Sequence, residues 1–334
     1  MPNAKLGKIA WAVETTYGTS PGSFSLSVPI NSFNPTASNN IEIVDLIADN
    51  IEYKEGYPGD FTISGPLNMP AYVEELGYFL YYLFGSISTE QPDGTGAPNT
   101  YQHTFTFGNT QPSITIAVDA VSEQFELVGS VITSMALNWS RTPPYIQANM
   151  NVLSKTISTS TASLPAVTIP TIKAFGVHNT TIKVDGSEIS AGIRSINLTI
   201  DRNPDTEDAK TLTSGRFIEQ PVPQATNITG SIKLRFDNMD LWKEFWGSSS
   251  ATSPQDTLDG ISLEIITTGE LIEATYYYTL DLTLYNVLLT NRSGGMLERP
   301  GPIDVSFDIQ AIYDKTSAKS AQAVLINKTT SYTS

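Results

Sequence analysis

One phrase of the chain occurs twice: "ISGPLNM" at residues 63–69 and "ITGSIKL" at 228–234. Ile63 matches Ile228, Gly65 matches Gly230 and Leu67 matches Ile232, a constant offset of 165 residues (230 − 65). Self-similarity at a fixed long spacing constrains a fold strongly, because each copy must solve the same burial problem with the same elements. The segment after each phrase repeats as well. "PAYVEELGYFLYYLFGS" and "DNMDLWKEFWGS" both read as helices closing on Gly-Ser. Pro70 suits the first turn, Glu74 and Glu75 its positive end and Gly85 its stop, while Asp237 or Asn238 caps the second helix. The first helix, read from Pro70, has about four turns. Tyr72, Leu76, Phe79, Leu80 and Leu83 form one face, and Tyr78, Tyr81 and Tyr82 leave the opposite side aromatic too.

Three runs of alternating apolar and polar residues come after each helix, the pattern of half-buried antiparallel strands. In the first half they are 113–120, 130–140 and 145–153; in the second, 261–267, 276–289 and 303–313. Ile303, Val305, Phe307, Ile309 and Ala311 share one face of the last run, and Asp304, Ser306, Asp308 and Gln310 the other. Asp185-Gly186 marks a hairpin turn, and "IRSINLTI" (193–200) resumes the alternation. A long polar segment precedes each repeated phrase, 31–57 and 201–226, beyond ordinary loop length. The Ser/Thr-rich stretch 154–170 reads as a linker. The expectation is a mainly β chain of two tandem sandwich or partial-barrel domains, 1–160 and 161–334, each with one flanking helix and one long loop.

Composition narrows the function classes. The 334 residues are 40% hydrophobic and 16% charged, enough apolar surface for two cores. Thirty-four acids against nineteen bases give a net charge of −15, a surface that repels phosphates and excludes tight DNA binding. Zero cysteines exclude disulfides, thiolate zinc sites and cysteine nucleophiles. The N-terminal stretch has no apolar signal region, and 70–85 is short of the ~20 apolar residues needed to span a bilayer.

Motifs that could carry chemistry fail on context. "GTSPG" (18–22) has the G-x-S-x-G form, but Pro21 follows the serine and no strand-to-helix elbow surrounds it. His103 and His178 stand in different halves without partners at ligand spacing, which points to exposed or strand-end roles. "DRNPDTED" (201–208) spaces Asp201, Asn203, Asp205 and Glu207 like a calcium loop, yet Thr206 replaces its glycine and Leu212 its closing glutamate. Glu264, Glu270 and Glu273 form the kind of acid cluster found in glycosidases and in any acidic β protein. No catalytic, cofactor-binding or metal residue is assigned, and no cofactor is expected.

The combination of "ISGPLNM" leading into "ELGYFLYYLFG", then 101–120 and 125–140, with 184–203 and "ITGSIKLRFDNMDLWKEFWG" in the second half, resembles the tail tube proteins of long-tailed (siphovirus-type) phages. The resemblance covers most of the chain. It implies a structural virion protein of the tail, made and assembled in the host cytoplasm, that stacks into rings around a channel for DNA. A chain with two fused tube domains resembles those that close as homotrimers with pseudo-sixfold symmetry. Partners implied are other copies, a tape-measure protein, tail-tip or baseplate proteins and a tail terminator, with DNA passing without sticking. On this reading Tyr78, Tyr81, Tyr82, Trp242, Phe245 and Trp246 are inter-subunit helix candidates. Asn39, Asn40, Asp45, Asp49, Asp205, Glu207, Lys210 and Arg216 are inter-ring loop candidates. Asn138, Gln147, Asn149, Asn151, Asp281, Asp304, Ser306 and Asp308 either face the lumen or form an ordinary solvated sheet face. A carbohydrate-binding or adhesive β-sandwich is the alternative, its tyrosines and tryptophans serving as stacking platforms.

Overall fold

The computed structural model describes residues 3–171, 173–189, 192–294 and 301–333. Its first half carries β1 (Lys8–Val13), β2 (Ser32–Phe33), β3 (Thr36–Ser38), β4 (Glu42–Asp45), β5 (Lys54–Tyr57), β6 (Thr62–Pro70), helix α1 (Leu76–Phe84), β7 (Gly85–Glu90), β8 (Tyr101–Phe107), β9 (Ile114–Asp119), β10 (Gln124–Ser140), β11 (Gln147–Ser154) and β12 (Thr156–Thr159). The second carries β13 (Thr180–Val184), β14 (Ser187–Glu188), β15 (Ile193–Asp201), β16 (Asn227–Arg235), α2 (Asp240–Trp246), β17 (Ile261–Glu273), β18 (Tyr276–Gly294), β19 (Asp304–Ala311) and β20 (Ala321–Asn327). The chain is mainly β, as its alternation requires, and every pairing between strands is antiparallel.

The two halves use one pairing order. In the first, β6 pairs with β11, β11 with β10, β10 with β9 and β9 with β1. In the second, β16 pairs with β19, β19 with β18, β18 with β17 and β17 with β13. The correspondence extends to defects. The β10–β11 ladder breaks register between Ile132 and Ser134, and the β18–β19 ladder between Leu289 and Asn291. The residues in the gaps, Thr133 and Thr290, lie 157 positions apart (290 − 133), and each hydroxyl donates to a carbonyl on the facing strand, Asn151 or Asp308, at 3.3 Å. A bulge bends its strand locally. The shared glycines answer to one cause as well. A Cβ on Gly65 would sit 2.6 Å from the Asn34 carbonyl oxygen, and one on Gly230 would sit 2.3 Å from that of Asn197.

β10 and β18 each serve two layers. The early part of β10 lies between β9 and β12, and its later part between β11 and β15. The crossing is at Gly129, whose φ of 66° favours glycine. Its N–H donates to the buried carboxylate of Glu14 at 2.7 Å. Thr115, Ser113 and the Gly18 N–H supply the other donors to Glu14, so all four bonds of a buried anion are made.

Two ladders cross the 160/161 division: β10 with β15, and β20 with β8. β20 therefore lies between β18 of its own half and β8 of the other. No path of pairings among the described residues returns to its start, so the sheet is open rather than a closed barrel. One contiguous apolar core runs through both halves, from Trp11, Phe79 and Met150 to Ile196, Leu282 and Phe307.

Local structure departs from the sequence pattern in three places. α1 is shorter than the four-turn helix expected from Pro70, because 70–75 is spent elsewhere: Pro70 ends β6, the Ala71 N–H donates to Ile146 and its carbonyl accepts from Phe175. Gly85 stops the helix as expected, in a left-handed conformation with φ 85°. Part of the expected linker is β12, held by β10 from Phe125 to Val128. α2 starts at Asp240 with Met239 in the N-cap place and no side-chain cap, so neither Asp237 nor Asn238 caps it as expected; Asn238 Oδ1 accepts the Asp240 N–H at 3.2 Å from one residue further out.

Candidate functional site: a polar sheet face with two open edges

One layer of the molecule is an eight-strand sheet, in the spatial order β2/β3, β6, β11, the later part of β10, β15, β16, β19 and the later part of β18. Alternation sends Leu67, Met135, Leu198, Ile232 and Phe307 into the core, and their neighbours to the opposite face. That opposite face is polar across its full width. A single row runs Gln147, Asn138, Asn197, Ser231, Asp308, Asn291 over six consecutive strands. Amides link neighbours within it: Asn197 Nδ2 donates to Asn138 Oδ1 at 2.6 Å, and Asn291 Nδ2 to Asp308 Oδ2 at 3.1 Å.

Seven of the eight candidates for this face, Asn138, Gln147, Asn149, Asn151, Asp304, Ser306 and Asp308, come together here. Asp281 does not. It sits on the early part of β18 between β17 and β20, where burial and then the Glu264 charge push its carboxyl up to about 6. Glu264 is paired with Lys183 at 3.0 Å. The face is less acidic than Asp304, Ser306 and Asp308 alone suggest. Lys233 lies 3.7 Å and Arg194 3.5 Å from Asp304, and Arg235 is opposite it across the ladder. The strand pattern of 228–234 contained that signal, since Lys233 alternates with the core-facing Ile232 and Leu234.

The helices divide in their cover. α1 is wrapped by its own chain: Tyr82 is fully buried, and Tyr78 meets the ring of Tyr332 edge-on at 4.7 Å. Tyr332 lies so close over Gly77 that a Cβ there would reach 2.2 Å from the ring. The expectation that Tyr82 meets a neighbour is corrected by its burial beside Phe79 within its own chain, while Tyr78 is covered by a terminal segment whose residues carry no sign of where it packs. Tyr81 stays partly exposed. Over α2, the Arg292 guanidinium stacks on Trp242 at 4.0 Å, while Phe245 and Trp246 remain partly exposed. An open groove beside this helix is lined by Leu234, Phe236, Leu241, Trp242 and Phe307.

The two long loops meet at their roots. Arg216 donates through Nε to the Gly59 carbonyl at 2.8 Å and through Nη2 to Asn39 Oδ1 at 3.0 Å, and Lys210 lies 3.4 Å from Asp60. Asn39, Lys210 and Arg216 are thus gathered, while Asn40, Asp45 and Asp49 belong to the projecting arm built on β4 and β5. Ile41, Ile43, Ile47 and Ile51 stand exposed on that arm. Asp205 accepts the N–H groups of Glu207 and Asp208 in a local turn, which is the use the structure makes of the calcium-like spacing.

Other motifs resolve into structure. Gly18 of "GTSPG" gives its N–H to Glu14. Glu273 accepts from the Asn99 N–H and the Thr100 hydroxyl, tying the end of β17 to the loop before β8. His103, expected at a strand end or exposed, is fully buried in mid-strand: its Nε2 lies 2.8 Å from the Thr329 carbonyl and its Nδ1 2.9 Å from Thr89 Oγ1. Because the carbonyl only accepts, Nε2 carries the proton and the ring is a neutral strut. Burial lowers its pKa. Among the described residues, no helix is long and apolar enough to cross a membrane.

A mainly β chain with a broad one-sided polar sheet, two flanking helices and projecting loops has the features of a structural assembly protein. The chain matches the family of phage tail tube proteins over residues 5–311. That span is most of its length, and the chain belongs to this family, which makes it a structural protein of the virion tail. Comparison with curated proteins returns no match.

Proposed function

We propose that copies of this chain join sheet edge to sheet edge into a ring, that rings stack into the tail tube, and that the polar face lines the channel through which DNA passes. The observation that carries this reading is the eight-strand sheet itself, polar over one entire face, with no strand among the described residues covering either outer edge. Open edges invite pairing with another chain, and ring closure satisfies them. The repeated pairing order and bulge support a tandem duplication in which each half contributes four strands.

Three copies would give 24 strands, from 3 × 8. At ~4.8 Å per strand, the wall would be ~115 Å around and ~37 Å across between backbones before strand tilt widens it. Two copies would leave ~24 Å between backbones, too tight for a duplex once side chains project inward. A homotrimeric, pseudo-hexameric ring is the reading we adopt, as in tails of the long, siphovirus type. The exposed isoleucines of the β4–β5 arm suit contact with the next ring, and the groove beside α2 suits a neighbour in the same ring. Tape-measure, tail-tip and terminator proteins are the further partners. No catalysis is assigned.

Electron microscopy of the purified protein with tail-tip complexes tests this. Rings or tubes with a central bore and three chains per ring are expected. Dispersed particles without a bore would overturn the reading.

A further inference from the structure

We infer that the seam between the two halves is the template for the seam between chains, and that it fixes the register there: Ser293 of one copy opposite Thr36 of the next, and Asn291 opposite Ser38. The inference rests on the ring reading and specifies its partner surface. Within the chain, β10 meets β15 with Ser134 opposite Asp201, Met135 opposite Ile200 and Ala136 opposite Thr199. The later part of β18 occupies the place of β10 in its half, displaced by 157 residues, as the paired bulges at Thr133 and Thr290 show. β2 and β3 occupy the place of β15. Thr36 faces Ser64 and Thr199 faces Thr229, while Ser64 and Thr229 are equidistant from the matching glycines, Gly65 and Gly230. The displacement there is 163 residues (199 − 36), and the close carbonyls of Asn34 and Asn197 obey it too.

Carrying the internal pairs across by these two displacements puts Asn291 against Ser38, Arg292 against Ala37 and Ser293 against Thr36. Both strands are bare on the required side. β18 from Asn291 to Gly294 is paired only with β19, and β3 only with β6, among the described residues. The outward-facing side chains Ser293, Thr36, Asn291 and Ser38 continue the polar face as Thr199, Ser134 and Asp201 do, while Arg292 and Ala37 take the core-side places of Met135 and Ile200. Backbone direction agrees. The Asn34 N–H donates towards β6 at 3.3 Å, so alternation turns the Ala37 N–H outward and leaves Thr36 in a position that is not hydrogen-bonded across the seam. Such pairs bring Cα atoms to about 4.5 Å, within disulfide reach. Pro35 lacks an outward donor, so the Ala37–Arg292 pair carries the full N–H and C=O exchange, with the Arg292 N–H passing from Asn291 Oδ1, which accepts it at 2.9 Å in the single chain, to the neighbour's backbone.

The natural chain has no cysteine, which makes cross-linking clean. The double variant Thr36→Cys/Ser293→Cys, assembled and then oxidised, should form interchain disulfides ending in a covalent three-chain species. It should do so at least tenfold faster than Ser38→Cys/Ser293→Cys, which is two residues out of register. Ala136→Cys/Thr199→Cys should close within a single chain and calibrates the geometry. Rings that form but cross-link through the out-of-register pair, or not at all, would overturn the register and leave the ring reading intact. Absence of rings from the unaltered protein would end both. Ala37→Pro gives an independent answer if the cysteine variants misfold: its monomer should melt like the natural chain and its ring assembly should fall at least tenfold. Unimpaired assembly of that variant would also overturn the inference.

Discussion

His103 shows how one side chain can anchor a segment far away in sequence. It is buried and neutral, and it holds the Thr329 carbonyl beside Tyr332, which in turn gives its hydroxyl proton to the Glu74 carbonyl. The imidazole pKa is lowered by burial, so the unfolded chain takes up its proton first as pH falls. Stability is then complete above the unfolded value of 6.5 and declines as pH drops below it. Glu74 is the carboxylate that faces this cluster and partly opposes the shift. After correction for the intrinsic pH dependence of amide exchange, residues 321–333 should therefore exchange relatively faster as pH falls from 7.5 to 5.5, and His103→Gln should flatten that dependence. An equal acceleration in the variant would show that other groups control the arm. The two roles expected of this histidine from sequence both missed, because the arm that buries it lies more than two hundred residues downstream.

Among the elements, α1 displays what could and could not be read from residue order. Its existence, its left-handed glycine stop and its many apolar side chains were legible, because they are properties of neighbouring residues. Its start was not, since Pro70 ends β6 and Ala71 is claimed by Ile146 and Phe175. Its cover was not either, since Tyr332 reaches it from the far end of the chain. The strands were legible throughout the alternating runs, whereas β12 was hidden in a Ser/Thr-rich stretch whose partner, not its composition, makes it a strand. Gly77→Ala tests the cover. Alanine should favour the helix by about 1 kcal/mol, but its methyl group collides with the Tyr332 ring, and overpacking of this kind costs about 1–3 kcal/mol. A lowered melting temperature with faster exchange at 328–333 is expected. A raised melting temperature would mean that the arm yields freely.

At the scale of the whole molecule, the polar face was legible in type but not in charge. Alternation placed Asn138, Gln147, Asn149 and Asn151 together with Asp304, Ser306 and Asp308, but the bases that answer Asp304 come from β15 and β16, strands read for their apolar residues. Asp308 is exposed and bound only by Asn291 in this row, so it is the better probe of the proposed channel. Virions carrying Asp308→Lys should build normal tails yet eject DNA several-fold more slowly at low salt, recovering as added salt screens the new cation. Ejection at the natural rate would remove electrostatics from the account of transit. The placement of β20 bears on biosynthesis. Until residue 327 has left the ribosome, β8 and β18 both lack a neighbour, so a prematurely ended polypeptide would offer two bare flanks to any passing strand and would head for aggregation rather than the tail.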